Sequence, residues 1–190
     1  MAIDVGRIEA AVAEILSAIG EDPTRPGLAT TPQRVAQAYG DFFAGVGVDP
    51  LTHLAETVDE GDQLSELVLL RDIDFRSICE HHLLPFTGVA HLAYLPHERI
   101  VGLGKLPRVV ETLASRPQLQ ERLTEEIADA LTEGLEPRGV LVVLDAVHGC
   151  VSARGVRQSR SSTVTMASRG ALDEPVARAE IIALIGAKHD

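Results

Sequence analysis

The stretch Ile73-Asp74-Phe75-Arg76-Ser77-Ile78-Cys79-Glu80-His81-His82-Leu83-Leu84-Pro85-Phe86-Thr87-Gly88 contains the turn on which the architecture rests. Leu67 to Ile78 reads as a strand, alternating at its far end through Ile73 and Phe75. Leu83 to Gly88, with Pro85 and Gly88, reads as a turn, and Val89 to Leu95 as the returning strand of a long hairpin. A hairpin implies antiparallel pairing, since parallel strands need a long crossover between them. Cys79-Glu80-His81-His82 therefore sits at a strand end.

A second stretch, Asp145-Ala146-Val147-His148-Gly149-Cys150, joins it in the chemistry. Together the two hold both cysteines and three of the seven histidines. A cysteine and a histidine three residues apart can turn a thiolate and an imidazole nitrogen onto one point. A distant Cys150 can then complete a zinc set of Cys79, His82 and Cys150. Three protein ligands leave a fourth position for water, whose pKa falls to about 7 on such a metal, the arrangement of hydrolytic sites. A structural zinc would normally take four ligands, and the chain has no Cys-x-x-Cys pair. Two other readings stand beside zinc. The thiols can be plain core residues, as free cysteine often is, or they can form a disulfide, which needs an oxidising compartment. Asp4, Arg7, Glu9 and Glu14 interrupt any apolar run long enough for a signal-peptide core, so the expected location is cytoplasmic.

Composition narrows the partners. At 190 residues and 45% hydrophobic content, one globular domain is expected. A formal net charge of −11 and a pI near 5.0 argue against a general nucleic-acid binder or an anionic-membrane binder, so an anionic ligand must be met locally. No apolar stretch approaches the roughly 18 residues of a membrane span. With 3% aromatic residues and no tryptophan, stacking platforms for bases are scarce.

Outward from the hairpin, residues 4–19 and a segment from Thr31-Pro32 carry helical spacing, and 47–63 is polar and acidic. The expected organisation is an N-terminal helical arm and connection over 1–63 and a catalytic region over 64–190, together one domain. After the hairpin come a helix from Leu106 to Ser115 and another from Pro117, whose stripe is Leu119, Leu123, Ile127, Ala130 and Leu131. Glu121 lies off that stripe. On spacing alone it reads as solvated helix face, because Glu125, Glu126 and Glu133 crowd the same helix. Val140 to Val147 is nearly all apolar, as a strand buried on both faces should be, and Ser162 to Ser168 alternates as a fourth strand. A last helix starts near Pro175. The fold class is α+β, an antiparallel four-stranded sheet backed by helices. Its two open edges suggest edge-to-edge assembly into a ring. Arg154, Arg157, Arg160 and Arg169 occupy a stretch, Val151 to Leu172, without an acidic residue, either an anion site or a patch for acidic surface on another subunit.

With these residues in view, the chain resembles the GTP cyclohydrolase I family of zinc enzymes, which open the imidazole ring of GTP. The likeness is carried by Thr31-Pro32-Gln33-Arg34, Ser77-Ile78-Cys79-Glu80-His81-His82, Gly102-Leu103-Gly104-Lys105-Leu106, Arg116 through Thr124, and His148-Gly149-Cys150 through Ala153-Arg154-Gly155. It implies the tunnelling fold, with subunits joined into pentamers that pair as a homodecamer. It implies GTP as substrate, formate and 7,8-dihydroneopterin triphosphate as products, and Zn2+ on Cys79, His82 and Cys150. Glu121 matches the carboxylate that holds guanine, with Gln120 beside it in the purine pocket. Arg34, Lys105, Arg108 and Arg154 match the basic residues on the triphosphate, and His148 and His81 the histidines that move protons. The match has departures. Gly104 stands where the family usually has serine, Gln37 where a basic residue is common, and Gly149 where a bulkier residue is usual. A same-fold enzyme of a deazapurine pathway is the alternative activity, and a catalytically silent binding or assembly protein the alternative class. A nucleobase deaminase would instead show His-x-Glu with Pro-Cys-x-x-Cys, which this chain lacks.

Overall fold

The Asp4 carboxylate accepts a hydrogen bond from the Arg7 backbone N–H at 3.0 Å and starts helix α1, Val5–Ala18. The computed structural model describes residues 3–59 and 66–187, so the expected boundary at 63/64 lies outside the described residues. Helix α1 buries no residue fully and packs on α2, Thr31–Phe42. Thr30 rather than Thr31 flanks the start of α2, with no side-chain cap and Pro32 in the first turn.

The connection after α2 is more structured than its polar sequence suggests. A 3-10 turn, Pro50–His53, is capped by Asp49, and strand β1, Thr57–Asp59, pairs antiparallel with β4, Arg99–Val101. The Arg116 guanidinium donates to the carbonyl oxygens of Gly45 at 2.9 Å and Val48 at 2.6 Å, which ties this segment to the main body.

The main sheet holds β2 (Val68–Cys79), β3 (Pro85–Leu95), β5 (Pro117–Gln118), β6 (Gly139–His148) and β7 (Thr163–Gly170) in the order β5-β2-β3-β6-β7. The four long strands pair antiparallel, as the hairpin reading requires. The four-stranded expectation needs one addition: two-residue β5 runs parallel to β2, with Ile78 opposite Pro117 and Cys79 opposite Gln118. Pro117 is thus a strand residue, not a helix start. The helices are α3 (Lys105–Ala114), α4 (Gln120–Leu135), short α5 (Gly149–Ser152) and α6 (Pro175–Gly186).

Alternation along the strands sorts the core into two layers. Ala90, Leu92, Tyr94, Val140, Val142 and Leu144 pack against Leu106, Val109 and Leu113 of α3 and Leu123, Ile127 and Leu131 of α4. On the other face Ala93, Leu141 and Val143 meet Leu172 and Ile181, flanked by Ala177 and Ile185 of α6. Covering both faces of β6 explains its unbroken apolar run, and each fully buried Leu or Val there contributes about 1.5–3 kcal/mol. This antiparallel sheet backed by helices is the α+β arrangement that the sequence led us to expect.

Two local features set the register. A bulge interrupts β2 between Leu70 and Ile73, where Asp72 takes a φ of 58° and its backbone N–H donates to His91 Nδ1 at 3.2 Å. On β3, a Cβ at Gly88 would lie 2.0 Å from the Asp145 carbonyl oxygen, so only glycine lets β6 approach there. The resulting register sets Phe86 opposite His148 and Ile78 opposite Pro85. The ends of β2 and β6 thereby meet at one end of the sheet, beside the start of α4.

Candidate active site

The turn after β2 is closed by its backbone. Cys79 N–H donates to Leu84 O and Leu83 N–H to Cys79 O, both at 2.9 Å, and Leu83 takes a φ of 51°. The Glu80 N–H donates to Gln118 O at 3.0 Å, which links the turn to β5. The Glu80 carboxylate accepts from Arg122 Nη2, while Arg122 Nε donates to Gln118 Oε1 at 3.0 Å. The turn is thus tied to α4.

Helix α4 starts at Gln120, so Gln120 and Glu121 face the same end of the sheet. Cys79, His81, Gln118, Gln120, Glu121, His148, Cys150 and Thr163 line one pocket of about 210 Å3. The other acidic residues near the start of α4 are engaged: Glu126 with Arg122 and Gln118, Glu125 with Arg169. Glu121 makes no hydrogen bond or ion pair with any described residue, and it lines the pocket. Glu121 is exposed, as a solvated helix face would be, yet it is exposed into this pocket rather than away from it.

Cys79 and Cys150 are free thiols, which removes the disulfide reading. Burial and the neighbouring Cys79 thiol push the Cys150 thiol above its usual pKa. His82 does not join them: its Nε2 meets Arg154 Nη1 at 3.1 Å, and no set of three metal-binding side chains converges among the described residues. The chemistry of the donors nevertheless fits zinc. Two adjacent sulfurs are in place, and on the same turn as Cys79 an imidazole presents an Nε2 lone pair that a guanidinium now engages. Gly149 has its own reason, since a Cβ there would meet Pro85 O at 2.8 Å.

His148 lies flat on Phe86, with ring centroids 4.7 Å apart and planes 4° from parallel, and its Nε2 is 2.6 Å from Gln120 Oε1. Burial lowers its pKa, against a smaller upward pull from Glu121. His81 stands edge-on to His82 at 6.3 Å between centroids.

Arg154 lies against His82, but the other three candidate basic residues lie elsewhere. Lys105 and Arg108 line a hollow with Gly102, Leu103 and Gly104 at the start of α3, and Lys105 Nζ donates to Glu56 at 2.6 Å. Arg34 is exposed in the first turn of α2. Of the basic stretch, Arg169 is bound to Glu125 at 2.6 Å and Asp129 at 2.7 Å, acidic partners on this same chain rather than on another subunit. Reading the sequence missed Phe86, Gln118, Arg122, Thr124, Thr163 and Thr165. Only Thr163 and Thr165 had a visible signal, because the alternation that points Val164 and Met166 one way points these two the other.

Comparison with known proteins supplies the family. The GTP cyclohydrolase I family model matches residues 8–186. GTP cyclohydrolase 1 of Leifsonia xyli is 64% identical over 183 residues, covering 96% of each chain. That of Carboxydothermus hydrogenoformans is 55% identical over 186 residues, covering 97% of this chain and 96% of the relative. That of Rhodopirellula baltica is 53% identical over 184 residues, covering 96% and 80%. With near-complete coverage at more than half identity, the chain belongs to the GTP cyclohydrolase I family.

Proposed function

We propose that the chain catalyses the GTP cyclohydrolase I reaction: hydrolytic opening of the GTP imidazole ring at C8, release of formate, rearrangement of the ribose and closure to 7,8-dihydroneopterin triphosphate. The observation that carries this reading is the unpaired Glu121 carboxylate in the same pocket as His148 and the adjacent thiols of Cys79 and Cys150. Guanine presents N1–H and its 2-amino group side by side, so one carboxylate accepts both, a pairing that adenine cannot offer. Glu121 is that acceptor, and it anchors the base with C8 toward the thiols.

Cys79, Cys150 and His82 would hold the zinc ion, which when bound supplies the Lewis acid for attack at C8. His148 protonates the ring nitrogen as the C8–N bond opens, with a proton that its imidazole has first taken up within the site. His81, on the hairpin turn, moves protons at the ribose. Lys105, Arg108, Arg34 and Arg154 bind the triphosphate. Lys105, Arg108 and Arg34 lie outside the pocket. That separation supports a homo-oligomer, a decamer of two pentamers, in which neighbouring copies complete each site. The exposed apolar residues Val164 and Met166 on edge strand β7 support it too. Residues 1–63 form the arm and connection of a single domain completed by 64–190. Among the described residues no helix is long and apolar enough to cross a membrane.

The test is an assay of zinc-loaded protein with GTP, following formate release and dihydropterin absorbance, with light scattering on the same sample. Absence of both products would overturn the assignment, and an active monomer would overturn the assembly.

A further inference from the structure

Gln120 is the first residue of α4 and is 1% exposed. Its side-chain amide is engaged at both its nitrogen and its oxygen. Nε2 donates to Thr163 O at 2.8 Å, to Thr165 Oγ1 at 3.0 Å and, more weakly, to Leu144 O at 3.2 Å, while Oε1 faces His148 Nε2 at 2.6 Å. Two of these partners are backbone carbonyls, which only accept, so the NH2 group must be on their side. The oxygen is thereby turned toward His148. An amide oxygen also only accepts, so the hydrogen on the 2.6 Å contact belongs to the imidazole: Nε2 of His148 is protonated.

The neighbouring hydroxyls make the same assignment independently. Thr124 Oγ1 lies 2.7 Å from the Gln120 backbone carbonyl and gives its one proton there. Toward Thr165, 2.7 Å away, Thr124 can then only accept, so Thr165 gives its own proton to Thr124 and has a lone pair left for the Gln120 NH2. The direction of each hydrogen bond along Thr165, Thr124, Gln120 and His148 is thereby set. The parallel stack on buried Phe86 holds the plane of the imidazole, and flipping the ring would sacrifice the bond to Gln120.

We propose that Gln120 is a positioning residue that locks His148 as the Nε2–H tautomer and leaves Nδ1 as the nitrogen that exchanges protons. This inference rests on the GTP cyclohydrolase reading of the pocket. It departs from the role that the family resemblance suggested for Gln120, because an amide that is 1% exposed, with its NH2 turned into β6 and β7 and its oxygen on His148, presents no free donor to a purine. In the reaction, a proton leaving the attacking water as its oxygen bonds to C8 passes to Nδ1. From there it goes to the ring nitrogen as the C8–N bond breaks, while Nε2–H stays on Gln120 throughout.

The tautomer can be read without turnover. In zinc-loaded protein labelled with 15N-histidine, His148, identified by its loss in His148→Asn, should show a proton on Nε2 and an unprotonated Nδ1. The Nε2–H signal should exchange slowly with solvent and speed up or vanish in Gln120→Ala. Gln120→Ala should lower kcat by tenfold or more, with the Kd for GTP unchanged. Thr165→Val, remote from substrate, should lower kcat by a smaller factor, and Thr165→Ser should restore it. A proton found on Nδ1, an unchanged Nε2–H signal in Gln120→Ala, or a raised Kd with intact kcat would each overturn the proposal. If the wild type releases no formate from GTP, the enzymatic reading fails, while the nitrogen spectra still decide the tautomer.

Discussion

Arg122 on α4 grips Glu80 at the tip of the β2–β3 turn, so the helix that carries Glu121 and the turn that carries Cys79 and His82 are held by one guanidinium. The pair is partly exposed, with side-chain accessibilities of 43% and 34%, and contributes only about 0–1 kcal/mol to stability. Its value lies in alignment. Arg122→Met should leave the melting temperature within a few degrees of wild type, yet speed zinc loss to a chelator and lower kcat. Equal metal retention in the two proteins would show that the turn holds its shape without the grip.

Replacing Glu121 by Gln keeps the size but sets a donor against the N–H groups of guanine. The loss of a charge-assisted pair, with a buried donor left over, costs on the order of 3 kcal/mol, or about a hundredfold in kcat/KM for GTP. Folding stability should change by no more than about 0.5 kcal/mol, since Glu121 has no structural partner to lose. Wild-type kinetics in this variant would return Glu121 to the solvated helix face.

Cys150→Ser should remove zinc and activity together while the sheet stays intact, because Cys150 sits on the short α5 after β6 and not in the central core. Metal analysis beside circular dichroism measures both. Full zinc occupancy in the variant would remove Cys150 from the ligand set.

At position 104 the backbone has φ −66° and ψ −12°, and a Cβ would meet nothing within 4 Å. Gly104→Ser therefore fits without strain and adds a hydroxyl at the start of α3, beside Lys105 and Arg108. The KM for GTP should fall several-fold, and that for guanosine analogues without phosphate should not move. An unchanged KM for GTP would mean that this hollow does not hold the phosphates.

His91 is 7% exposed, and its Nδ1 accepts from the Asp72 N–H. Burial lowers its pKa, opposed by Asp72, reinforced by Arg71 and opposed again by Asp145. The unfolded chain therefore binds a proton near pH 6.5 that the folded chain refuses, and stability falls as pH drops below that value toward the folded pKa. Above pH 6.5 this contribution is flat. His91→Gln keeps an acceptor for Asp72 but cannot titrate, so its melting temperature should fall less steeply between pH 6.5 and 5. Parallel curves would remove His91 from the acid response.

The elements legible in the sequence were those whose pattern is local. The alternation through Ile73 and Phe75, the unbroken run from Val140 to Val147 and the stripe of Leu123, Ile127 and Leu131 all report burial that each segment carries along its own length. Pro117 looked like a helix start because proline favours that position. Its strand character comes from Ile78, a partner far along the chain. The same limit hid β1 and β4, three residues each, and the capture of Arg169 by Glu125 and Asp129. Within the pocket, Cys79, His148 and Glu121 were visible by residue type and motif. The proton wiring of Gln120 was not, because its partners come from β6, β7 and α4 and meet only in three dimensions.

The pairing of β3 with β6 also bears on how the molecule folds. β2 and β3 are joined by the short turn after Cys79, so their hairpin can form early and locally. The β3–β6 seam must close a loop that contains β4, α3, β5 and α4, residues 96–138, and Phe86 meets His148 at its far end. Closing that loop is the entropic bottleneck of a topology with high contact order. Until it closes, the two thiols, Glu121 and His148 belong to separate pieces of chain. During refolding, catalytic competence should therefore emerge with the slowest phase, well after hairpin signals have reached their native values.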